Sequence, residues 1–262
     1  MRSRLQIWPL LALLLPLLYH GCSKEEYLPG LAGNMVGFVY TFDEFGTLLD
    51  DRSQVKVTAI GLDQNYSASS NSSGRFVLED VPTGTYELHL KKEGFGTMKQ
   101  FGVKHLGGKP TILLNTSNEE QAYFLYKMPA SIIEDLHIVN DSMTCAFRFA
   151  IIPNPTSTFH LKVYFSSEDN FIRQDAEYIE NARIWYTDGK YWSRFHFERT
   201  PFDPGETVYY KACRYTLQVY VPPLYQNWNV SGVSTYFDYE LNETIYPNLG
   251  DESEQYSFTF PE

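Results

Sequence analysis

Histidine, cysteine, carboxylate and tryptophan are the residue types here that could carry chemistry. The six histidines stand at 20, 89, 105, 137, 160 and 196. A zinc peptidase needs two ligands at a short fixed spacing around a glutamate. None of the six begins H-x-x-E, and H-E-x-x-H does not occur. His89 falls on the solvent side of its strand by alternation. The G-x-S-x-G turn of a serine hydrolase is also missing from the sequence. Neither Cys145 nor Cys213 has a neighbouring histidine in sequence to activate it. The pairs Asp50-Asp51 and Asp238/Glu240 could hold a hard cation. With 32 acidic residues in the chain, such pairs arise as ordinary solvated surface. The sequence therefore assigns no catalytic residue, no metal and no cofactor.

Aromatic residues are the compositional excess, at 16% of the chain. Trp185, Trp192 and Trp228 all lie in the second half. Exposed tryptophan can stack on sugar faces or anchor a protein interface; buried, it is simply core. Trp185 stands between Ile184 and Tyr186 and could face either way. Trp228, in the turn-like Tyr225-Gln226-Asn227-Trp228-Asn229, is the best candidate for exposure. These three are the candidate ligand or partner contacts.

The elements that would position these residues read as strands. Residues 71–90 give a tight turn, a strand, a second turn and another strand. Phe76 and Leu78 alternate with Arg75, Val77 and Glu79, and Tyr86, Leu88 and Leu90 alternate with Thr85, Glu87 and His89. Period-two alternation buries one set and solvates the other. Ser73-Gly74 and Pro82-Thr83-Gly84 supply the turns. Phe76, Leu78, Tyr86 and Leu88 are expected to pack against Val55, Val57 and Val36.

This stretch, N-x-x-G-R-F-x-L-x-x-V-P-x-G-T-Y-x-L, resembles the carboxypeptidase regulatory-like domain. Val36-Gly37-Phe38-Val39-Tyr40 is similar to its opening strand. Asp43-Glu44-Phe45-Gly46-Thr47-Leu48-Leu49 is similar to its first turn, and Lys92-Glu93-Gly94-Phe95-Gly96 to a later one. The resemblance implies a transthyretin-like β-sandwich of about seven strands over residues 34–116. It implies no activity, because such domains are non-catalytic appendages of many secreted proteins. The metallocarboxypeptidases that carry them keep zinc on a separate α/β domain, for which this chain has no room.

Arg2 and Arg4 precede an apolar run over residues 5–18, too short to span a bilayer and suited to a secretory signal. The run ends in Tyr19-His20-Gly21-Cys22, which resembles the looser lipobox of Bacteroidetes lipoproteins. Residues 1–21 are then a signal peptide, Cys22 the lipidated first residue, and residues 22–33 a tether. Ser23-Lys24-Glu25-Glu26 resembles the export signal that sends such lipoproteins to the outer face of the outer membrane. Loss of Arg2 and Arg4 from 21 basic residues leaves 19 against 32 acidic ones, a net charge of −13. So acidic a chain would be repelled by nucleic acid.

Residues 120–262 are rich in Tyr, Phe, Val and Ile, in short alternating runs separated by Pro and Gly. That pattern predicts a second sandwich, with a short helix somewhere in residues 169–181. The corner from Phe202 to Tyr209 resembles one in fibronectin type III domains, so the second unit is immunoglobulin-like in the broad sense. Cys145 and Cys213 both point toward apolar neighbours in their strands. They form either a disulfide, at a spacing like that of the immunoglobulin inter-sheet bridge, or two separate buried thiols; the second is favoured.

The predicted fold is thus all-β: a transthyretin-like sandwich followed by an immunoglobulin-like one. The predicted role is that of a lipid-anchored, non-catalytic envelope protein. It would bind or scaffold, as accessory to a glycan-uptake or outer-membrane complex or as an adhesin. The alternative is an enzyme of unrecognised type with its site in the second domain.

Overall fold

A computed structural model describes residues 30–113, 122–139, 141–149, 159–187, 189–195, 197–215 and 235–262. The described chain is built of strands. The first sandwich is organised on β1 (Ala32–Phe42), which pairs antiparallel with β4 (Arg75–Pro82) and parallel with β7 (Thr111–Ile112). Facing it is a second layer in the order β3 (Asn65–Ser69), β2 (Lys56–Ile60), β5 (Gly84–Lys91), β6 (Met98–His105). Phe76, Leu78, Val55, Val57, Tyr86, Leu88 and Leu90 fill the space between the layers, as the alternation predicts.

The register of β1 differs from the expectation. Met35 and Val39 enter the core, whereas Val36 is only partly buried and lies on the outer face. Gly37 makes room on the inner face: a Cβ there would lie 2.5 Å from Cζ of Phe76. The turn before β4 is built as its residues require. Asn71 Oδ1 accepts hydrogen bonds from the Ser73 and Arg75 amides. Gly74 sits at φ +85°, where a Cβ would lie 2.1 Å from the Val39 carbonyl oxygen.

The first sandwich also runs past the boundary placed near residue 116. Strand β8 (Tyr123–Tyr126) pairs parallel with the C-terminal half of β1, from Val39↔Tyr123 to Phe42↔Tyr126. All four of its residues are buried. Tyr123 and Leu125 enter the sandwich core, while Phe124 and Tyr126 pack on Phe42 on the other side. The layer around β1 is therefore four-stranded, giving one strand more than the resemblance implied.

The second sandwich is a seven-stranded sheet curled on itself. Its order is β17 (Tyr256–Thr259), β14 (Thr207–Tyr215), β11 (Phe159–Ser166), β12 (Tyr178–Thr187), β13 (Lys190–Arg194), β10 (Ser142–Arg148), β9 (Ile132–Val139). Strand β12 joins the two layers: its residues 178–184 pair with β11, and Trp185, Tyr186 and Thr187 pair with β13. The edges approach each other, and the Tyr210 hydroxyl on β14 donates to the Leu136 carbonyl on β9 at 2.9 Å. Leu161, Val163, Phe165, Ala182, Ile184, Met143 and Val208 form the core. The helix expected in residues 169–181 is only a 3-10 turn, Arg173–Asp175, before β12 begins.

The two sandwiches are locked together. A hairpin of β15 (Tyr236–Asp238) and β16 (Glu243–Ile245) returns to the first sandwich. Tyr236 enters that core, and Lys99 Nζ on β6 meets Asp238 at 3.2 Å. The central contact is between Glu44, in the turn after β1, and Arg214, near the end of β14. Their side chains are 4% and 1% exposed, and Arg214 Nη1 lies 2.7 Å from Glu44 Oε2. Arg214 Nη2 also donates to the Glu44 carbonyl at 2.9 Å, and the Ala130 amide donates to Glu44 Oε2 at 2.8 Å. The guanidinium lies 4.4 Å from the centre of the Phe45 ring.

Two stability predictions follow from this packing. Phe76→Ala removes a ring that Gly37 was shaped to receive and should cost about 3–5 kcal/mol in urea unfolding. Thr85→Ala, on the exposed side of β5, should change little. Glu44→Ala leaves Arg214 buried without its counter-charge and should cost about 3–5 kcal/mol. The double substitution Glu44→Leu/Arg214→Met should cost less than Glu44→Ala alone. A double variant weaker than the single one would show that the pair acts through packing rather than charge.

Candidate functional site: the outer face of the β12–β13 hairpin

The core fixes which way the tryptophans point. Ala182 and Ile184 face the interior of the second sandwich, so Arg183 and Trp185 face outward. On the adjoining strand Ser193 is buried, and Lys190, Trp192 and Arg194 face outward. Cross-strand pairing sets Trp185 opposite Trp192 and Thr187 opposite Lys190. The two indole rings lie 5.1 Å apart at 35°, each partly exposed. The row continues across the sheet through Thr144 to His137. Beside it is a shallow depression of about 350 Å³ lined by Asp135, His137, Thr144, Lys190 and Tyr191.

Charge is distributed unevenly on this face. Arg194 Nε is 2.7 Å from Asp141 Oδ2, and Arg148 Nε is 2.8 Å from Glu134 Oε1. Asp135 is engaged by His137 at 2.9 Å. Arg183 instead lies over the Trp185 ring, 5.8 Å from its centre. His160, opposite Arg183 on β11, is 8% exposed, and its Nδ1 has no hydrogen-bond partner among the described residues. Burial first, and then the Arg183 charge, pull its pKa down to about 4. It is a neutral imidazole at neutral pH.

The other sequence candidates are not gathered here. Cys145 faces the core, and Cys213, on the opposite face of β14, packs with Tyr164 and Phe171. Both are free thiols in different layers, so the bridge weighed from their spacing is not formed. Burial pushes Cys145 up to about 12 and Cys213 up to about 11. Both are therefore unreactive thiols rather than thiolates. Asp51 caps its own loop, accepting from the Ser53 amide at 2.9 Å. Asp238 accepts from the Glu240 amide at 3.0 Å while pairing with Lys99. Among the described residues, no group of three or more His, Cys, Asp or Glu could hold a metal ion. His89 is partly buried beside Glu87. His105 is buried, its ring bonded to Thr111 Oγ1 at 2.7 Å and to the Val81 carbonyl at 2.9 Å. Trp228 and Cys22 lie outside the described residues.

Sequence reasoning missed Arg183, Lys190 and His160. A signal was present: a cation stands two positions before each tryptophan, as Arg183-x-Trp185 and Lys190-x-Trp192. In a strand, that spacing puts cation and ring on one face.

No protein-family model matches this chain, and no curated protein does. Solved structures do match. A DUF3823 family protein from Bacteroides uniformis aligns over 88% of this chain and 100% of its own, at 11% identity and a TM-score of 0.24. A candidate carbohydrate-binding protein from the same species aligns over 71% of this chain and 90% of its own, at 9% identity and a TM-score of 0.26. A chain of a type II cohesin–X-dockerin complex from Acetivibrio cellulolyticus aligns over 37% of this chain, at 22% identity and a TM-score of 0.28. Only 58% of that last chain's length is spanned. Each of these TM-scores is below 0.5.

His160 yields a pH prediction. Its folded-state pKa is below the unfolded value, so between about pH 6.5 and 4 the unfolded chain binds more protons. The stability held by the neutral ring is complete above that window and is lost as pH falls through it. His160→Phe should flatten the pH dependence of unfolding there. An unchanged slope between pH 6.5 and 4 would assign the acid lability to other groups.

Proposed function

We propose that this chain is a lipid-anchored, non-catalytic protein of a bacterial cell surface that binds glycan through its second sandwich. The observation that carries this reading is the Trp185–Trp192 pair. Two partly exposed indoles side by side on the outer face of a rigid sheet bring no gain to the core. Apolar rings of this kind are what the C–H faces of pyranose sugars stack on. The neighbouring depression, bordered by Thr144, His137 and Lys190, offers hydrogen-bonding groups next to the rings. The signal run ending in Gly21-Cys22 supports the anchor, and Ser23-Lys24-Glu25-Glu26 supports display on the outer face.

Both parts can be tested. Trp185→Ala and Trp192→Ala should each weaken binding on a glycan array by about tenfold, a loss of about 1.4 kcal/mol, with melting temperature little changed. Glycan binding that survives the double substitution would overturn the site. Cys22→Ser should release the protein from the membrane fraction or stall its processing. A variant that is cleaved and fractionates as the wild type does would overturn the anchor.

A further inference from the structure

The two cations beside the tryptophans narrow the ligand class. On the outer face of the hairpin, Arg183, Trp185 and Thr187 run along β12. Lys190, Trp192 and Arg194 run the opposite way along β13. Arg183 is therefore on one side of the indole pair, and Lys190, opposite Thr187, is on the other. Arg194 is neutralised by Asp141 at 2.7 Å. Across the sheet from Lys190, beyond Ala146, stands Asp135, already engaged by His137 at 2.9 Å. Arg183 and Lys190 are exposed and make no ion pair among the described residues.

We propose that this face binds an anionic polysaccharide, with its acidic groups on Arg183 and Lys190 and its ring faces on Trp185 and Trp192. The inference rests on the glycan reading above and adds the charge of the ligand. The spacing suits it. Arg183 to the level of Lys190 is four residues along a strand, about 14 Å at about 3.4 Å per residue, enough for roughly two or three pyranose units. An anion at each end then brackets the stacked rings. The net charge of −13 left after signal removal repels a polyanion at long range. Beyond about 8 Å it is screened at physiological salt, while the two cations act at contact distance. A nucleic acid strand fits less well. A single strand is held along a continuous basic groove that tracks its backbone, and the described residues of this face form no such groove.

The test uses the full mature chain in detergent and titration calorimetry with four probes: polygalacturonate, dextran sulfate, neutral dextran and a thymidine oligonucleotide. Polygalacturonate or dextran sulfate should bind at least about tenfold tighter than dextran and weaken as salt is raised. The stronger of the two identifies carboxylate or sulfate as the group recognised. Arg183→Gln/Lys190→Gln should abolish that preference, while Arg75→Gln, an exposed cation of the first sandwich, should leave it intact. Unaltered polyanion binding by the double variant would overturn the proposal, as would an oligonucleotide that binds as tightly as polygalacturonate. Dextran binding equal to that of the polyanions, and lost in Trp185→Ala, would overturn the charge inference and leave the glycan reading standing. Binding of every probe unaffected by Trp185→Ala/Trp192→Ala would overturn both.

Discussion

The contact between Glu44 and Arg214 is the constraint on which the arrangement of the molecule depends. A buried ion pair is a poor source of stability, because desolvating both charges consumes most of their attraction. Its value is geometric. Arg214 continues the inward row of β14 after Val208, Tyr210 and Ala212, so it points out of the end of the second sandwich. There Ser131 Oγ meets its Nη1, the counter-charge comes from Glu44 of the first sandwich, and burial pulls its pKa down against the opposing pull of Glu44. The turn after β1 delivers an acceptor twice, as carboxylate and as backbone carbonyl. A seating that buried the guanidinium and the carboxylate apart would carry the desolvation cost of both without their attraction. The pair therefore acts against misdocked arrangements more than it adds to the favoured one.

Two further crossings make the junction rigid. Strand β8, which follows the first sandwich in sequence, completes the sheet around β1. The β15–β16 hairpin, near the end of the chain, packs Tyr236 into the first core, and a Cβ on Gly96 would lie 2.2 Å from the Pro247 carbonyl oxygen. The chain thus passes from one sandwich to the other and back. The first sandwich is not closed until residues from beyond it have been placed, so local sequence alone does not delimit it.

That is also where the sequence stopped being legible. The alternation of β4 and β5 was plain because each has one wet face and one dry one. In β1 it was ambiguous: Met35, Val36, Phe38 and Val39 place apolar residues at both parities, and Gly37 gives no signal of its own. The outcome depended on the Phe76 ring, which needs the space at Gly37. Strand β8 reads Tyr-Phe-Leu-Tyr with no period, because both its faces are covered. Arg214, within Lys211-Ala212-Cys213-Arg214-Tyr215, looks like any solvated cation of a strand. Its partner stands 170 residues away, and no local pattern can report that. On the candidate site, the tryptophans were visible as residue types but their direction was not, since Ile184 and Tyr186 flank Trp185 with apolar side chains on both sides. The register was available: Asp188-Gly189 is the turn dipeptide of a two-residue hairpin. It sets Thr187 against Lys190, and hence Trp185 against Trp192, as the structure has it.

The site and the junction bear on each other. Two indoles and two cations on an open sheet make a shallow contact, of the kind that binds weakly and releases quickly. Such a surface serves best where ligand repeats along a polymer and receptors are many, because successive weak contacts then act at high effective concentration. A lipid anchor at Cys22 would supply that density. The span from Cys22 to Ala32 is ten residues, about 35 Å at full extension, so on the proposed reading an anchored first sandwich would stay close to the membrane. The second sandwich follows it as one body, because the Glu44–Arg214 contact and the returning hairpin remove the hinge that a simple two-domain chain would have. On the proposed reading, the binding face keeps a fixed orientation to the first sandwich. A polymer sampling the surface would then meet copies of the same face in similar poses, the condition under which weak sites on neighbouring molecules engage one strand together.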